Sequence, residues 1–169
     1  SVQSMHKTEH ATPEITCLLP LLKRDALETA VTRLSVLGVR KIQLVVSEKS
    51  RHSLTPKELL RLQKIIVAAA EQSKCFAMPE LIAPQKLQDC INAKIENAFL
   101  FDQYGISCRE IIAQKFTDPI IVAFGPEGDF TDEEKKLFKS NGYQSLLLTE
   151  SILRTIDAVL FGVGLFRLS

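Results

Sequence analysis

Two short runs hold the residues best suited to chemistry. The first is Ile120 to Glu134, in which five apolar residues lead into Gly125, Pro126, Glu127 and Gly128. The second is Leu148 to Thr155, where Thr149, Glu150 and Ser151 form a loop ahead of Ile152, Leu153 and Arg154. An apolar run bounded by turn residues is the signal of a buried strand in a parallel sheet. Pro126 fixes its own backbone and offers no N–H donor. Gly125 and Gly128 allow a sharp turn and a close approach of ligand to backbone. Open α/β sheets bind ligands in loops of this build at the carboxyl ends of their strands. The alternative reading is a plain strand-to-helix turn, because short Gly/Pro signals have low specificity. A third stretch, Ser47 to Leu54, carries Lys49, Arg51 and His52. It is either a solvated loop or a phosphate contact, since Lys and Arg supply most non-specific RNA affinity.

These runs need a scaffold, and strands alternate with helices along the chain. Residues 1–14 are polar without a period and read as a tail or linker. Residues 15–169 read as one domain. Ile15 to Leu22 is a first strand, although Pro20 argues against a central place for its second half. Arg24 to Leu37 is an amphipathic helix stopped by Gly38, and Ile42 to Val46 is the next strand. Thr55, Pro56 and Glu58 start a helix that runs to Ser73. Pro84 to Ala93 reads as a short helix, Asn97 to Phe101 as a strand with Asp102 at its carboxyl end, and Ser107 to Gln114 as a helix with Ile111 and Ile112 inward. Thr131 and Glu134 form a second capping box, and Gly142 ends that helix. Ser145 to Leu148 is the last strand. The final helix is apolar nearly all round, so its surface must be covered. The expected cover is partly the core and partly a second subunit; burial within one chain is the alternative. Gly162 and Gly164 cost this helix stability unless something packs closely against them. The pattern gives an α/β domain with a mostly parallel sheet and helices on both faces.

A length of 169 residues suits one well-buried domain. With 21 basic and 20 acidic residues the formal net charge is +1, so any RNA contact must come from a local patch. Cys17, Cys75, Cys90 and Cys108 are widely spaced, and His6, His10 and His52 make no metal-like spacing with them. Reduced thiols in a cytoplasmic protein are expected, with no disulfide frame and no metal site. The sequence has no secretory signal, and its longest apolar stretch is too short and interrupted to span a membrane.

The run from Ile121 to Glu134, followed by Leu146 to Thr155, resembles the C-terminal signature of the 16S rRNA (uracil-N3) methyltransferase family of the SPOUT superfamily. Leu37-Gly38-Val39, Ser47-Glu48-Lys49-Ser50, and Gln72-Ser73 with Pro79-Glu80 agree in order. The resemblance implies a C-terminal trefoil knot, a rare exception to unthreaded topology. It implies a homodimer, S-adenosylmethionine as cofactor, and methyl transfer to N3 of a uridine in small-subunit rRNA or a ribosomal particle. It maps the cofactor site to Phe101 and Asp102, to Gly125, Pro126, Glu127 and Gly128, and to Leu148, Thr149, Ile152 and Leu153. It makes Arg154 the cation that stabilises the developing uracil anion, a salt bridge to Glu127 or Asp129 being the alternative. Lys49, Arg51 and Lys74 become RNA contacts. The family also has an N-terminal PUA-type barrel, and nothing before Ile15 is long enough to be one, so that domain is expected to be trimmed or lacking.

The chain departs from the family where RNA and cofactor meet. Asp129 stands where a Gly is usual, Ser151 and Ile156 replace an Arg and a Glu, and Thr149 replaces a Gly. Cys75 and Ala77 take the places of arginines. These changes motivate the alternative of a SPOUT-fold binding or scaffold protein with little or no catalysis.

Overall fold

A computed structural model describes residues 11–50, 53–91 and 96–168. In chain order the elements are β1 (Ile15–Pro20), α1 (Arg24–Val36), β2 (Lys41–Val46), α2 (Pro56–Ser73), β3 (Glu80–Lys86) and α3 (Leu87–Cys90). Then come β4 (Asn97–Ser107), α4 (Arg109–Ile112), β5 (Ile120–Phe124), α5 (Asp132–Ser140), β6 (Gln144–Leu147) and α6 (Thr155–Leu168). The strands form one parallel sheet in the order β3-β2-β1-β5-β4-β6. β5 lies between β1 and β4, which is why all five of its residues are apolar and buried.

Side chains alternate across the sheet, and each face has its own apolar cluster. On one face Leu19, Leu44, Phe99, Val122 and Phe124 pack with α1, α2 and α6. On the other Leu18, Val45, Leu100 and Ala123 pack with Phe138 of α5 and Leu87 of α3. Helices therefore cover both faces. Both expected capping boxes are formed: the Thr55 and Thr131 hydroxyls accept from the N–H groups of Glu58 and Glu134, whose carboxylates accept in return. Gly38, at φ +66°, stops α1, and Gly142, at φ +85°, follows α5.

Two expectations are corrected. Pro84 does not open a helix but lies within β3, and α3 is only four residues long. A proline is tolerated there because β3 is an edge strand. The strand expected to end at Phe101 continues to Ser107, which shortens the next helix to Arg109–Ile112. The last helix runs from Thr155 to Leu168, and the core of this chain covers only part of its surface. Val159, Val163 and Phe166 are buried, whereas Leu160, Phe161 and Leu168 are 37%, 58% and 92% exposed.

The long β4 shapes the carboxyl edge of the sheet. Phe101 and Ile106 are both register partners of Leu146, so the pairing shifts register across residues 102–105, which lie against β6. The contact is tight: a Cβ on Gly105 would lie 2.5 Å from the Leu146 nitrogen and 2.5 Å from the Ser145 carbonyl carbon. The Cys108 N–H then donates to the Leu147 carbonyl at 2.9 Å. α6 approaches the sheet as closely. A Cβ on Gly162 would lie 2.6 Å from the Phe101 ring and 2.8 Å from the Phe124 ring, two rings stacked with centroids 5.0 Å apart. Gly164 meets nothing within 4 Å. At the far end of α6, Arg167 donates to the carbonyls of Ala11, Pro13, Leu37 and Gly38 and so ties the helix to the end of α1.

Candidate functional site

The carboxyl ends of β1, β4, β5 and β6 leave a cleft of ≈ 890 Å³. Its wall comes from Leu22 and Lys23 after β1, from 101–104 in β4, from 124–127 and Asp129 after β5, and from 146–156 after β6. Three loops far apart in sequence thus share one space. Phe101, Asp102, Gly125, Pro126, Glu127, Leu148, Thr149, Ile152, Leu153 and Arg154 all line it. Gly128 is not part of the lining, but its neighbour Asp129 is.

Local hydrogen bonds set the shape of each loop. The Asp129 N–H donates to the Pro126 carbonyl at 2.9 Å, which closes the turn. Asp129 has φ +58°, the left-handed region, and its Oδ1 accepts from the Phe130 N–H at 2.7 Å. A short acidic side chain with such a bond is tolerated where a Gly is the default. The Thr155 hydroxyl donates to the Gly125 carbonyl at 2.9 Å and so joins the start of α6 to the same turn. The Thr149 hydroxyl donates to the Ser151 carbonyl at 2.7 Å.

Charge in the cleft is mixed. Glu127 faces Lys23 at 3.9 Å. Lys135, on α5, reaches Asp102 at 3.0 Å and Asp129 at 2.8 Å. Burial opposes its charge, but hydrogen bonds to Asp129 and Asp102 outweigh that and raise its pKa. Asp129 therefore does not stand as a bare anion in the wall. Arg154 is exposed, and its side chain has no ion pair or hydrogen bond among the described residues. Glu127 and Asp129, the salt-bridge partners of the alternative reading, pair with Lys23 and Lys135 instead. Its carbonyl accepts from the N–H groups of Asp157 and Ala158 at the start of α6.

The basic residues singled out in the sequence are not gathered in one place. Lys49 Nζ donates to the Gly128 carbonyl at 2.8 Å, so the 47–50 loop rests on the turn beside the cleft. The Glu48 N–H adds a bond to Glu134 at 2.8 Å. Lys74 follows α2 and precedes β3, which puts it at the amino edge of the sheet, opposite the cleft. Arg51 lies outside the described residues. Sequence reasoning missed Lys23, Tyr104 and Lys135. Lys23 follows β1 directly and was findable from strand order, but no local spacing joins Lys135 to Asp102, 33 residues away.

A space of this size, walled by apolar residues interspersed with polar and charged ones, is typical of small-molecule sites. Residues 8–167 match the family described as RNA methyltransferase domain. The chain is 29% identical over 136 residues to the ribosomal RNA small subunit methyltransferase E of Aquifex aeolicus, covering 79% of this chain and 58% of that protein. It is 26% identical over 167 residues to the protein of the same name in Rickettsia conorii, covering 96% and 67%. It thus spans three fifths to two thirds of these curated relatives. Among solved structures, the ribosomal RNA small subunit methyltransferase E of Neisseria gonorrhoeae bound to S-adenosyl methionine has a TM-score of 0.83 at 26% identity, over 92% of this chain and 66% of that one. A putative methyltransferase from Legionella pneumophila in complex with the cofactor SAM shares the fold, with a TM-score of 0.85 at 24% identity over 91% and 65%. With the match running through nearly every described element, the chain belongs to the RNA methyltransferase domain family.

Proposed function

We propose that the protein is an S-adenosylmethionine-dependent methyltransferase that acts in the cytoplasm on N3 of a uridine in small-subunit rRNA. The observation that carries this reading is the single cleft joining the middle of β4 to the loops after β5 and β6. The relatives named for small-subunit rRNA methylation, and the Neisseria structure described with the cofactor bound, support it. The cleft fits such a cofactor, because it has room for a nucleoside and an amino acid and sets apolar residues such as Phe101, Leu148 and Leu153 beside polar ones such as Asp102, Glu127 and Thr149.

S-adenosylmethionine supplies an electrophilic methyl group on a sulfonium. The chain's part is to align, desolvate and stabilise charge. The turn 125–129 and the loop 148–153 bind through main-chain groups, and their apolar side chains exclude water. Alignment of this kind is worth up to roughly 7–11 kcal/mol in the best intramolecular cases. Arg154 offers its guanidinium to the uracil as N3 loses its proton. Lys49, beside the cleft, and Arg51 contact rRNA phosphates. Lys74 serves the same RNA only where it reaches the opposite edge of the sheet. We read the register shift of 102–105 against β6 as the threading of a trefoil knot.

The test is calorimetric titration of the purified protein with S-adenosylmethionine, followed by methylation of small-subunit RNA and mapping of the product. Saturable one-per-chain binding and N3-methyluridine are expected. A folded protein that binds no cofactor would instead favour the scaffold role.

The same reading includes a homodimer through α6. Leu160, Phe161 and Leu168 form an exposed apolar stripe with Gly164 between them, where a partner helix can approach closely. Phe161→Glu is expected to turn a dimer into a monomer in analytical ultracentrifugation, while circular dichroism stays as in the wild type. A wild-type monomer at micromolar concentration would end this part of the reading.

A further inference from the structure

Lys135 joins two walls of the cleft without lining it. Its ammonium lies 3.0 Å from Asp102, midway along β4, and 2.8 Å from Asp129, in the turn after β5. The Lys135 and Asp102 side chains are 20% and 8% exposed, so the contact is shielded from water. Asp102 also accepts from the Tyr104 N–H at 3.2 Å, and Lys135 Nζ sits 5.5 Å from the centre of the Tyr104 ring. Three residues from two segments, β4 and the turn after β5, therefore converge on the ammonium group of α5. Both acids face the cleft, and with Lys135 they make a group of net charge −1.

Resting on the cofactor reading above, we propose that Lys135 is a positioning residue that latches the 125–129 turn to β4 and screens Asp102 and Asp129, and so sets how the site ranks S-adenosylmethionine against S-adenosylhomocysteine. The two ligands differ by one methyl group and one positive charge at sulfur. Unscreened carboxylates in the wall attract the sulfonium and leave the neutral thioether unaffected. The latch has a second effect. Asp129 holds a left-handed backbone at φ +58°, and Lys135 fixes the carboxylate whose other oxygen caps the Phe130 N–H.

The experiment uses Lys135→Met, Lys135→Arg and Asp129→Asn. The asparagine keeps the local backbone bond and removes the ion pair, so it serves also where Lys135→Met fails to fold. The first measurement needs no ligand. Hydrogen exchange at the Asp129 and Phe130 amides is expected to rise about tenfold in Lys135→Met and to return toward wild type in Lys135→Arg. The second is calorimetry with each ligand. In Lys135→Met the preference for S-adenosylmethionine over S-adenosylhomocysteine should grow about threefold to tenfold, and in Asp129→Asn it should shrink. Equal weakening of both ligands, or unchanged exchange, would overturn the proposal. A wild-type protein that binds neither ligand would remove the cofactor reading itself, and the exchange data would still decide whether the latch exists.

Discussion

Arg154→Ala is expected to lower the rate of uridine methylation about 100-fold, the usual scale for losing one group that stabilises developing negative charge. Cofactor affinity should stay within about threefold, because Arg154 is one of many residues lining the cleft and is assigned here to the uracil. Stability should barely change. The guanidinium has no partner among the described residues, and the Arg154 carbonyl, which accepts from Asp157 and Ala158, is kept by any residue. Single-turnover methylation, calorimetry and thermal melting separate the three quantities. Arg154→Lys should recover part of the rate, since a point charge remains while the planar fork is lost. An alanine variant with wild-type turnover would remove Arg154 from the chemistry and leave it a solvent-facing residue at the head of α6.

What could be read from the sequence follows the range of the forces involved. β5 was legible because its five apolar residues, its Gly/Pro turn and the Thr131–Glu134 box are all local signals within one short run. α2 was legible for the same reason. β3 was not: none of its residues is fully buried, and Pro84 argues against a strand unless its edge position is known. The second half of β4 is mostly polar and none of it is fully buried, and it pairs with β6 only after a register shift between Phe101 and Ile106. No local pattern encodes such a shift. α6 shows a further limit, because an all-round apolar helix reads as buried whether its cover is the same chain or another. The loops of the cleft were placed in one site by family resemblance, whereas Lys135 needed coordinates. It is six residues from Asp129 and 33 from Asp102, spacings that no helix or strand brings together by itself.

The close approach of Gly105 to the β6 main chain, next to the cleft wall, makes the second strong test. Gly105→Ala should destabilise the protein by about 3 kcal/mol, at the upper end of ordinary overpacking, and weaken cofactor binding by tenfold or more. The new Cβ would lie 2.5 Å from backbone atoms of Ser145 and Leu146, which cannot swing aside as a side chain can. β6 has little freedom to retreat. It pairs with β4 at Phe99, Leu100 and Phe101, and Leu146 is fully buried in the core. The strain must therefore move 102–105 outward, and with it Asp102 and Tyr104 of the cleft wall. Gly128→Ala is the matched control, since the nearest atom to its Cβ is the Lys49 side chain at 3.5 Å, an ordinary contact. Chemical denaturation of both variants, read beside calorimetry, should show a large fall in midpoint for Gly105→Ala and almost none for Gly128→Ala. A Gly105→Ala protein with the wild-type midpoint would mean that the chain does not pass β6 at this distance, and the threading proposed for this edge of the sheet would fall with it.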